Sequence, residues 1–275
     1  MDAARAYEER IDAVNRQRVR TVGRRRGTDR WDKRAQMFTM DPLRPLDANH
    51  LILAEYINPD DVVLDIGGGA GRVSLPLALR CREVIDVEPS LGMCDAFEAS
   101  ARGAGITNAR VVRSAWPAEG ITGDVALVFN VTYFVREIVP FIEGLNRASR
   151  RRVVVGVWSV PPPAQDTALF ELAFGEPEEV VPGHRELLPV LWEMGILPDV
   201  RVLPNPFAFV AAMPQTPEEA VEFALSRIEP ESEAQVAEVR GIIADRVDEL
   251  FEQTARGYKP RWRPTAREML ITWET

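Results

Sequence analysis

Residues 62–71 read V-V-L-D-I-G-G-G-A-G, a short apolar run that leads into a glycine-rich turn. Such a run of β-branched and aliphatic residues is typical of a strand covered on both faces in a parallel sheet. Asp65 interrupts the run near its carboxyl end, which is the edge where open α/β sheets bind ligands. Glycine allows the backbone to adopt positive φ and to approach a ligand closely. We therefore predict a ligand-binding turn that is formed by Asp65, Gly67, Gly68, Gly69 and Gly71.

The spacing of these glycines argues against two common nucleotide-binding motifs. A dinucleotide fingerprint reads G-x-G-x-x-G, whereas this chain has Gly67-x-Gly69-x-Gly71. A phosphate loop requires Lys followed by Ser or Thr, whereas Gly71 is followed by Arg72 and Val73. The turn is therefore expected to hold a nucleoside cofactor of another kind, and a tight turn that binds nothing is the alternative.

A second strand is predicted at residues 83–87, after a helix over residues 72–80 that contains Pro76. The strand leads into Glu88, about 20 residues after the glycines, where a carboxylate commonly accepts hydrogen bonds from a ribose diol. Asp86 shares a face of the strand with Glu88. Because Glu88 stands at the strand end, it is the favoured ribose ligand.

Two further segments continue this pattern along the chain. The four segments read V-V-L-D-I-G-G-G-A-G-R at 62–72, V-I-D-V-E-P-S-L-G-M at 84–93, A-R-V-V-R-S-A-W at 109–116 and D-V-A-L-V-F-N-V-T-Y-F-V at 124–135. In this order they resemble the motifs of class I S-adenosylmethionine-dependent methyltransferases. The resemblance implies a Rossmann-like α/β fold, with a seven-stranded sheet in the order 3-2-1-4-5-7-6 and an antiparallel strand 7. It also implies an enzyme that uses S-adenosylmethionine and releases S-adenosylhomocysteine.

The resemblance assigns a role to each motif. The glycine turn is expected to hold the methionine part of the cofactor, and Glu88 its ribose. Pro89 or Met93 is expected near the adenine. The other residues expected at the cofactor are Ala115 and Trp116 beside the adenine ring, and Asn130 and Val131 at the end of strand 4.

The chain departs from the family pattern at two places. Many relatives carry an Asp after strand 3 that binds the adenine amino group, whereas this chain has Ser114-Ala115-Trp116. Adenine contacts are then expected from the backbone, and Trp116 either stacks on the ring or belongs to the core. The segment Asn130-Val131-Thr132-Tyr133 has the N-x-x-Y spacing of amide and exocyclic-amine methyltransferases but lacks their two prolines. An amine-specific site and a plain strand end both stay open.

Residues 31–38, W-D-K-R-A-Q-M-F, resemble the helix that precedes the sheet and covers the cofactor in this family. Their large apolar side chains can share one helix face, which would exclude water from the transferring methyl group. We expect residues 1–58 to form an N-terminal helical arm with Trp31 in a lid, ahead of a methyltransferase domain at 59–275. An arm that is only anchored to this domain is the alternative.

An insertion is predicted between strands 6 and 7. The segment Thr216-Pro217-Glu218-Glu219 is a helix start with a capping box and proline at the first position. Apolar residues then recur at helical spacing over 220–228 and again over 236–250. We therefore predict a helical insertion over about residues 207–264 that packs as a lid or an interface.

Composition agrees with an intracellular enzyme of ordinary build. The 275 residues, of which 46% are hydrophobic, suffice for one full core and an added cap. Cys81 and Cys94 are expected to be reduced core residues, and with two histidines and no clustered Cys or His we predict no metal site. No apolar stretch is long enough to cross a bilayer and no signal peptide is evident, so we expect a cytoplasmic protein that does not bind membranes.

The net charge of -9 argues against a general nucleic-acid binder. The charge is, however, uneven along the chain. Residues 1–34 contain eleven Arg or Lys and six Asp or Glu, which makes this stretch +5 and the remainder -14. An RNA-contacting arm would need interleaved aromatic residues, and only Tyr7 and Trp31 are available. We favour a solvated amphipathic helix, whose apolar face is expected to consist of Ala6, Ile11, Val14 and Val19.

The predicted function is methyl transfer to a small molecule by in-line displacement. Because the sulfonium of the cofactor already makes the methyl group electrophilic, a general base is needed only for a protonated acceptor. The candidates are Tyr133, Glu137 and His184, each of which also reads as an ordinary structural residue. The alternatives are a non-catalytic cofactor-binding protein, an RNA or protein methyltransferase that uses the basic arm, and an NAD-dependent enzyme, which the glycine spacing disfavours. The residues leave the acceptor and the oligomeric state open.

Overall fold

A computed structural model describes residues 2–23, 29–32, 34–204, 213–230 and 232–275. The strands in these ranges are β1 Val62–Ile66, β2 Glu83–Val87, β3 Ala109–Val112, β4 Gly123–Phe129, β5 Ser149–Trp158, β6 Asp199–Val202, β7 Phe251–Thr254, β8 Gly257–Pro260 and β9 Glu268–Glu274. The α-helices are α1 Asp2–Thr21, α2 Asp29–Asp32, α3 Ala48–Ala54, α4 Leu91–Gly103, α5 Ile138–Ala148, α6 Thr167–Phe174, α7 His184–Glu193, α8 Pro217–Ile228, α9 Glu233–Ala244 and α10 Val247–Leu250. Short 3-10 helices cover Ala35–Phe38, Leu75–Arg80, Thr132–Phe134 and Pro162–Ala164. Within these ranges no helix is long and apolar enough to span a membrane.

The described strands form one seven-stranded sheet in the order β3-β2-β1-β4-β5-β9-β6. Strands β1 to β5 are parallel to their neighbours, whereas β9 runs antiparallel to both β5 and β6. The strands β7 and β8 form a separate hairpin, so β9 is the seventh strand of the main sheet. The order predicted from the sequence is therefore confirmed.

Helical layers cover both faces of the sheet. Leu64 and Ile66 of β1 pack on one face together with side chains of α1, α5 and α7, whereas Val63 packs on the other face with side chains of α3 and α4. Side chains alternate along a strand, so Asp65 lies on the same face as Val63. This alternation places the carboxylate on the face where the glycine turn passes.

Helix α1 belongs to this layering, because Tyr7, Ile11 and Val14 are buried in the same core cluster as α5 and α7. The predicted apolar face of the helix is wrong at two positions: Ala6 is exposed, and Val19 is 47% exposed. The stripe that packs runs through Tyr7, Ile11 and Val14, which follow helical spacing. Helix α1 is therefore packed into the same core as the helices that cover this face of the sheet.

The predicted helix over residues 72–80 is shorter and more tightly wound than expected. Its place is taken by the 3-10 helix Leu75–Arg80, in which Pro76 stands in the first turn. Proline is tolerated there because the first N–H groups of a helix have no partner within it. The backbone before Leu75 continues the glycine turn, and the N–H of Leu75 donates to the carbonyl of Gly71.

The insertion forms a small core of its own with α6. Thr216 caps α8 as predicted, since its hydroxyl accepts a hydrogen bond from the N–H of Glu219 at 3.2 Å and Pro217 is the first helical residue. In a capping box the Glu219 carboxylate would accept from the N–H of Thr216. Here it accepts from the N–H of Gln215, one residue earlier. The insertion is not wholly helical, because the β7–β8 hairpin follows α10 and its residues Phe251 and Tyr258 pack in the same core. Residues 207–212 of the predicted insertion lie outside the described ranges.

Ion pairs connect the basic N-terminal stretch to acidic groups elsewhere in the chain. Glu229, at the end of α8, accepts from Arg34 at 2.7 Å and lies 3.9 Å from Arg18. Arg20 bonds Glu176 at 2.6 Å. Arginines of the basic N-terminal stretch thus form ion pairs with acidic residues of the remainder of the chain.

We predict that Tyr7→Phe lowers the free energy of unfolding by about 0.5–1.5 kcal/mol, the net contribution of one hydrogen bond. The Tyr7 hydroxyl donates to the carbonyl of Thr132 at 2.7 Å, and its loss leaves that carbonyl with the N–H of Val135 as its remaining described donor. Urea denaturation of the two proteins measures the difference. Tyr258→Phe is the control, because the Tyr258 hydroxyl bonds no described residue. Equal loss of stability in the two variants would contradict the assignment.

Candidate functional site

A cavity of about 290 Å³ opens at the carboxyl ends of β1, β2 and β4. A larger depression of about 630 Å³ lies at the opposite edge of the sheet, beside Trp273 and Thr275 at the end of β9. Open α/β sheets bind their ligands at the carboxyl ends of the parallel strands. The smaller cavity is therefore the candidate site.

The glycine turn forms one wall of this cavity, and Gly68 and Gly69 are positions where a side chain would be unfavourable. Gly69 has a φ of 63°, a left-handed conformation that favours glycine. At Gly68 a Cβ atom would lie 2.2 Å from Oδ2 of Asp65, far closer than any real contact. The turn is thus packed on the Asp65 carboxylate and presents its backbone to the cavity.

Asp65 and Glu88 both line the cavity but differ in their partners. Glu88 accepts hydrogen bonds from the N–H of Ser90 at 2.8 Å and from the N–H of Gly69 at 3.2 Å. Asp65 is 1% exposed, and neither of its carboxylate oxygens has a hydrogen-bond partner among the described residues. Burial, together with the Glu88 charge, raises the pKa of Asp65 to about 6. A buried carboxylate in this state needs a donor, and a cationic group of a ligand would supply one.

Asn130 follows β4 and lines the cavity in an orientation set by two hydrogen bonds. The N–H of Trp158 donates to the Tyr133 hydroxyl at 2.6 Å, and this hydroxyl donates to Oδ1 of Asn130 at 3.3 Å. Because the hydroxyl proton is directed to Oδ1, the amide nitrogen of Asn130 is left to donate elsewhere. Asn130 has a φ of 62°, which Asn tolerates better than most residues.

The three candidate bases lie outside the cavity wall. Tyr133 is 1% exposed, burial raises its pKa, and its ring cannot stack on an acceptor. Glu137 is exposed before α5, and His184 begins α7, where burial lowers its pKa. In the described part of the wall the ionisable side chains are those of Asp65, Arg72 and Glu88.

The structure brings Pro89 and Met93 to the cavity but not Ala115 and Trp116. Ala115 is exposed, and the half-buried Trp116 packs against the core and donates its indole N–H to the carbonyl of Phe141 at 3.3 Å. Of the two positions predicted for Trp116, stacked on the adenine or packed in the core, the structure shows the second. The Val131 side chain lies against the turn, since a Cβ at Gly67 would lie 2.7 Å from it.

Residues before the sheet complete the opposite wall. The Trp31 ring meets Phe38 and Phe134 edge to face, with centroids 5.6 and 6.2 Å apart. The Asp32 carboxylate accepts from the Ser90 hydroxyl at 2.7 Å and from the N–H of Gly92 at 2.9 Å. The segment that carries Trp31 is thus fastened to the start of α4, next to the cavity.

Several residues of the wall were not predicted from the sequence, among them Arg72, Phe129, Phe134 and Val135. Arg72 follows the glycine turn directly, which was a usable signal, and its guanidinium lies 5.9 Å from the centroid of the Phe38 ring. Phe134 carries no local signal, because its position depends on the buried Tyr133 beside it and on the distant Tyr7. No group of three or more His, Cys, Asp or Glu residues that could hold a metal ion occurs in the described ranges.

Part of the chain that contains this site is similar to known proteins. Residues 64–155 match the methyltransferase domain family. A 23S rRNA (uracil(1939)-C(5))-methyltransferase of Aeromonas salmonicida is 43% identical over 70 residues, which make up 22% of this chain and 16% of that protein. This chain therefore matches only a small part of the length of that relative.

Two solved structures have a similar fold. YcgJ of Bacillus subtilis aligns with a TM-score of 0.52 and 14% identity, over 82% of this chain and 97% of that one. Magnesium protoporphyrin IX methyltransferase of Synechocystis, solved with bound S-adenosylhomocysteine, aligns with a TM-score of 0.51 and 16% identity, over 66% and 90% of the two chains. At these identities the similarity concerns the fold.

We predict that Asp32→Ala speeds amide hydrogen exchange in residues 35–38. The substitution removes the two hydrogen bonds to Ser90 and Gly92 that fasten this segment to α4. Exchange followed by mass spectrometry measures the effect. Asp41→Ala is the control, because the exposed Asp41 carboxylate bonds only the neighbouring N–H of Leu43. Unchanged exchange in Asp32→Ala would show that other contacts hold the segment.

Proposed function

We propose that this chain, which carries a class I S-adenosylmethionine-dependent methyltransferase domain, transfers the methyl group of that cofactor to a small-molecule acceptor. The observation that carries the proposal is the meeting of the buried Asp65 carboxylate, which has no described partner, with the glycine turn in one cavity. S-Adenosylhomocysteine is the expected product.

The residues of the cavity fit the chemical groups of this cofactor. The Asp65 carboxylate suits the ammonium group of the methionine part, because it is buried and lacks a donor. Glu88 uses its oxygens to hold Ser90 and Gly69 and keeps lone pairs for the ribose hydroxyls. Pro89 and Met93 offer apolar surface for the adenine.

When bound, the cofactor supplies a methyl group that is already electrophilic. The chain contributes alignment and the exclusion of water. Alignment of two reactants lowers the barrier by several kcal/mol, on the order of the effective-molarity gain. The aromatic side chains of Trp31, Phe38 and Phe134 are placed to keep water from the reacting atoms.

The ionisable groups of the wall also bear on the acceptor. Asp65 and Glu88 lie by the glycine turn, and neither Tyr133, Glu137 nor His184 reaches the described wall. Since burial raises the pKa of Tyr133, its hydroxyl keeps its proton at neutral pH. We infer an acceptor whose nucleophilic atom is already unprotonated or loses its proton to water.

A small-molecule acceptor is favoured over RNA, although the curated relative acts on 23S rRNA. Arg18 and Arg34 pair with Glu229, and Arg20 pairs with Glu176, so these arginines are engaged within the chain. Tyr7 is 1% exposed and offers no ring for stacking. The matched stretch is 16% of the rRNA methyltransferase, which leaves most of that protein without a counterpart in the match.

The remaining structural features support three narrower proposals. Residues 29–38 act as the lid, whereas α1 belongs to the core of the domain. The insertion forms a core with α6, and Glu229 at the end of α8 pairs with Arg34 of the lid, so we propose that the insertion bounds the acceptor entrance. The buried free thiols of Cys81 and Cys94 suit a reducing compartment, and we propose the cytoplasm.

The test of the function begins with ligand binding. We predict that S-adenosylhomocysteine raises the melting temperature by mass action and that NAD does not. A screen of metabolite pools with methyl-labelled S-adenosylmethionine then reports the acceptor. Stabilisation by NAD alone would contradict the proposal, and binding of S-adenosylhomocysteine without transfer to any acceptor would favour a non-catalytic binder.

We predict that Gly69→Val abolishes detectable binding of S-adenosylhomocysteine. Gly69 lines the cavity with a φ of 63°, so a β-branched side chain there would be strained and would occupy ligand space. Gly105→Val is the matched control, because Gly105 has a φ of 67° with open space around it. Calorimetry measures both affinities. Normal binding by Gly69→Val would refute the assigned role of the turn.

A further inference from the structure

Asp86 is a buried carboxylate near the end of β2 that the cofactor contacts above do not use. It is 0% exposed and pairs in register with Asp65 of β1. A Cβ atom at Gly68 would lie 2.2 Å from Oδ2 of Asp65 and 2.8 Å from Oδ1 of Asp86. Both oxygens are close to one point, so they are at most 5.0 Å apart.

The pair is short of hydrogen-bond donors. Oδ1 of Asp86 accepts from the N–H of Gly68 at 3.0 Å, which is its contact with the turn. Oδ2 of Asp86 and both oxygens of Asp65 have no partner within hydrogen-bond distance in the described part of the chain. The buried Ser74 hydroxyl also acts on Asp65 and lowers its pKa, and it can satisfy one Asp65 oxygen but not Oδ2 of Asp86. Buried carboxylate oxygens without donors are rare in folded proteins, because each loses its hydration.

The carboxylates that face this pair are negative. Glu88 follows on the same strand, and Asp32 faces Glu88 from the segment before the sheet. Cys94, which faces Asp86 from α4, is a neutral thiol, because burial raises its pKa to about 11. Two cations are close by: Arg72 shares the cavity wall with Asp65, and Arg113 acts on Cys94 and Asp32. In the described ranges neither forms an ion pair with Asp65 or Asp86. Two adjacent carboxyl groups in such a place cannot both be ionised without compensation.

We propose that Asp86 is protonated at neutral pH and donates its hydroxyl hydrogen to Asp65, which is thereby held as the ionised carboxylate that receives the ammonium group of the cofactor. The hydrogen bond satisfies Oδ2 of Asp86 and one oxygen of Asp65, and leaves the other Asp65 oxygen for the ligand. Asp86 does not line the cavity and acts through Asp65, so it is a positioning residue. The ligand part of the proposal rests on the proposed function.

The proposal fixes the sign of a pH effect. Burial raises the pKa of Asp65 to about 6, against the lowering effect of the Ser74 hydroxyl, and raises the pKa of Asp86 well above its ordinary value. Affinity for an ammonium ligand is therefore flat above about pH 6 and falls about tenfold per pH unit below it, as Asp65 takes up a proton. A neutral donor beside Asp65 lowers its pKa, whereas an anion beside it would raise it.

The test measures the affinity for S-adenosylhomocysteine by calorimetry between about pH 5 and pH 8. In Asp86→Ala the donor is lost, and the midpoint of the pH profile is expected to rise by about one unit. In Asp86→Asn the amide nitrogen replaces the hydroxyl as donor, so the midpoint and an affinity within about threefold of the wild type are expected to persist. Glu83→Ala, which removes a carboxylate at the other end of β2, is the control. A midpoint that falls or stays in place in Asp86→Ala overturns the proposal.

Infrared spectroscopy supplies a readout that needs neither the ligand nor the alanine variant. The wild type at pH 7 is expected to show the carbonyl stretch of a buried protonated carboxylic acid, and Asp86→Asn is expected to lack it. A wild-type spectrum without that band overturns the proposal even if Asp86→Ala fails to fold. If S-adenosylhomocysteine does not bind at all, the proposed function fails, and the infrared result still decides the protonation of Asp86.

Discussion

The contact of the Gly68 backbone with the buried carboxylates of Asp65 and Asp86 determines the geometry of the candidate site. It requires β1 and β2 to stay in register, because both carboxylates must meet the same glycine. Two residues beyond Asp86, Glu88 then accepts from the N–H of Gly69 and from that of Ser90, which caps α4. One strand pair thus positions the turn, the Glu88 carboxylate that we propose as the ribose ligand, and the next helix.

Elements with a local physical cause could be predicted from the sequence. The second strand has the predicted bounds Glu83–Val87, because the β-branched residues Val84, Ile85 and Val87 are typical of a buried strand. Thr216 caps α8 through a contact three residues away. The β7–β8 hairpin has no such signal, since F-E-Q-T and G-Y-K-P are neither apolar nor alternating. It depends on the packing of Phe251 with Phe223 and Trp262, which only the folded insertion brings together.

The residues of the candidate site likewise divide into those that the sequence predicts and those that it does not. Residues next to the ends of the parallel strands lie in the cavity wall as expected, because the carboxyl ends of such strands meet at one edge. Trp116 does not, since a half-buried indole after a strand packs equally well against a neighbouring helix. Phe134 could not be predicted, because Tyr133 is held by Trp158 and Thr132 by Tyr7. Such contacts join parts of the chain that no local pattern relates.

The place of α1 in the core has a consequence for the synthesis of the chain. This helix is translated well before its partners, because Tyr7 bonds Thr132, 125 residues later, and the N–H of Ala3 bonds Glu193, 190 residues later. Until α5 and α7 have been translated, the apolar stripe of α1 has no native surface to cover it. Contacts this distant slow folding and leave apolar groups exposed in the meantime. The nascent chain therefore carries α1 as an uncovered amphipathic helix until α5 and α7 follow, which makes this helix a natural place for a chaperone to bind.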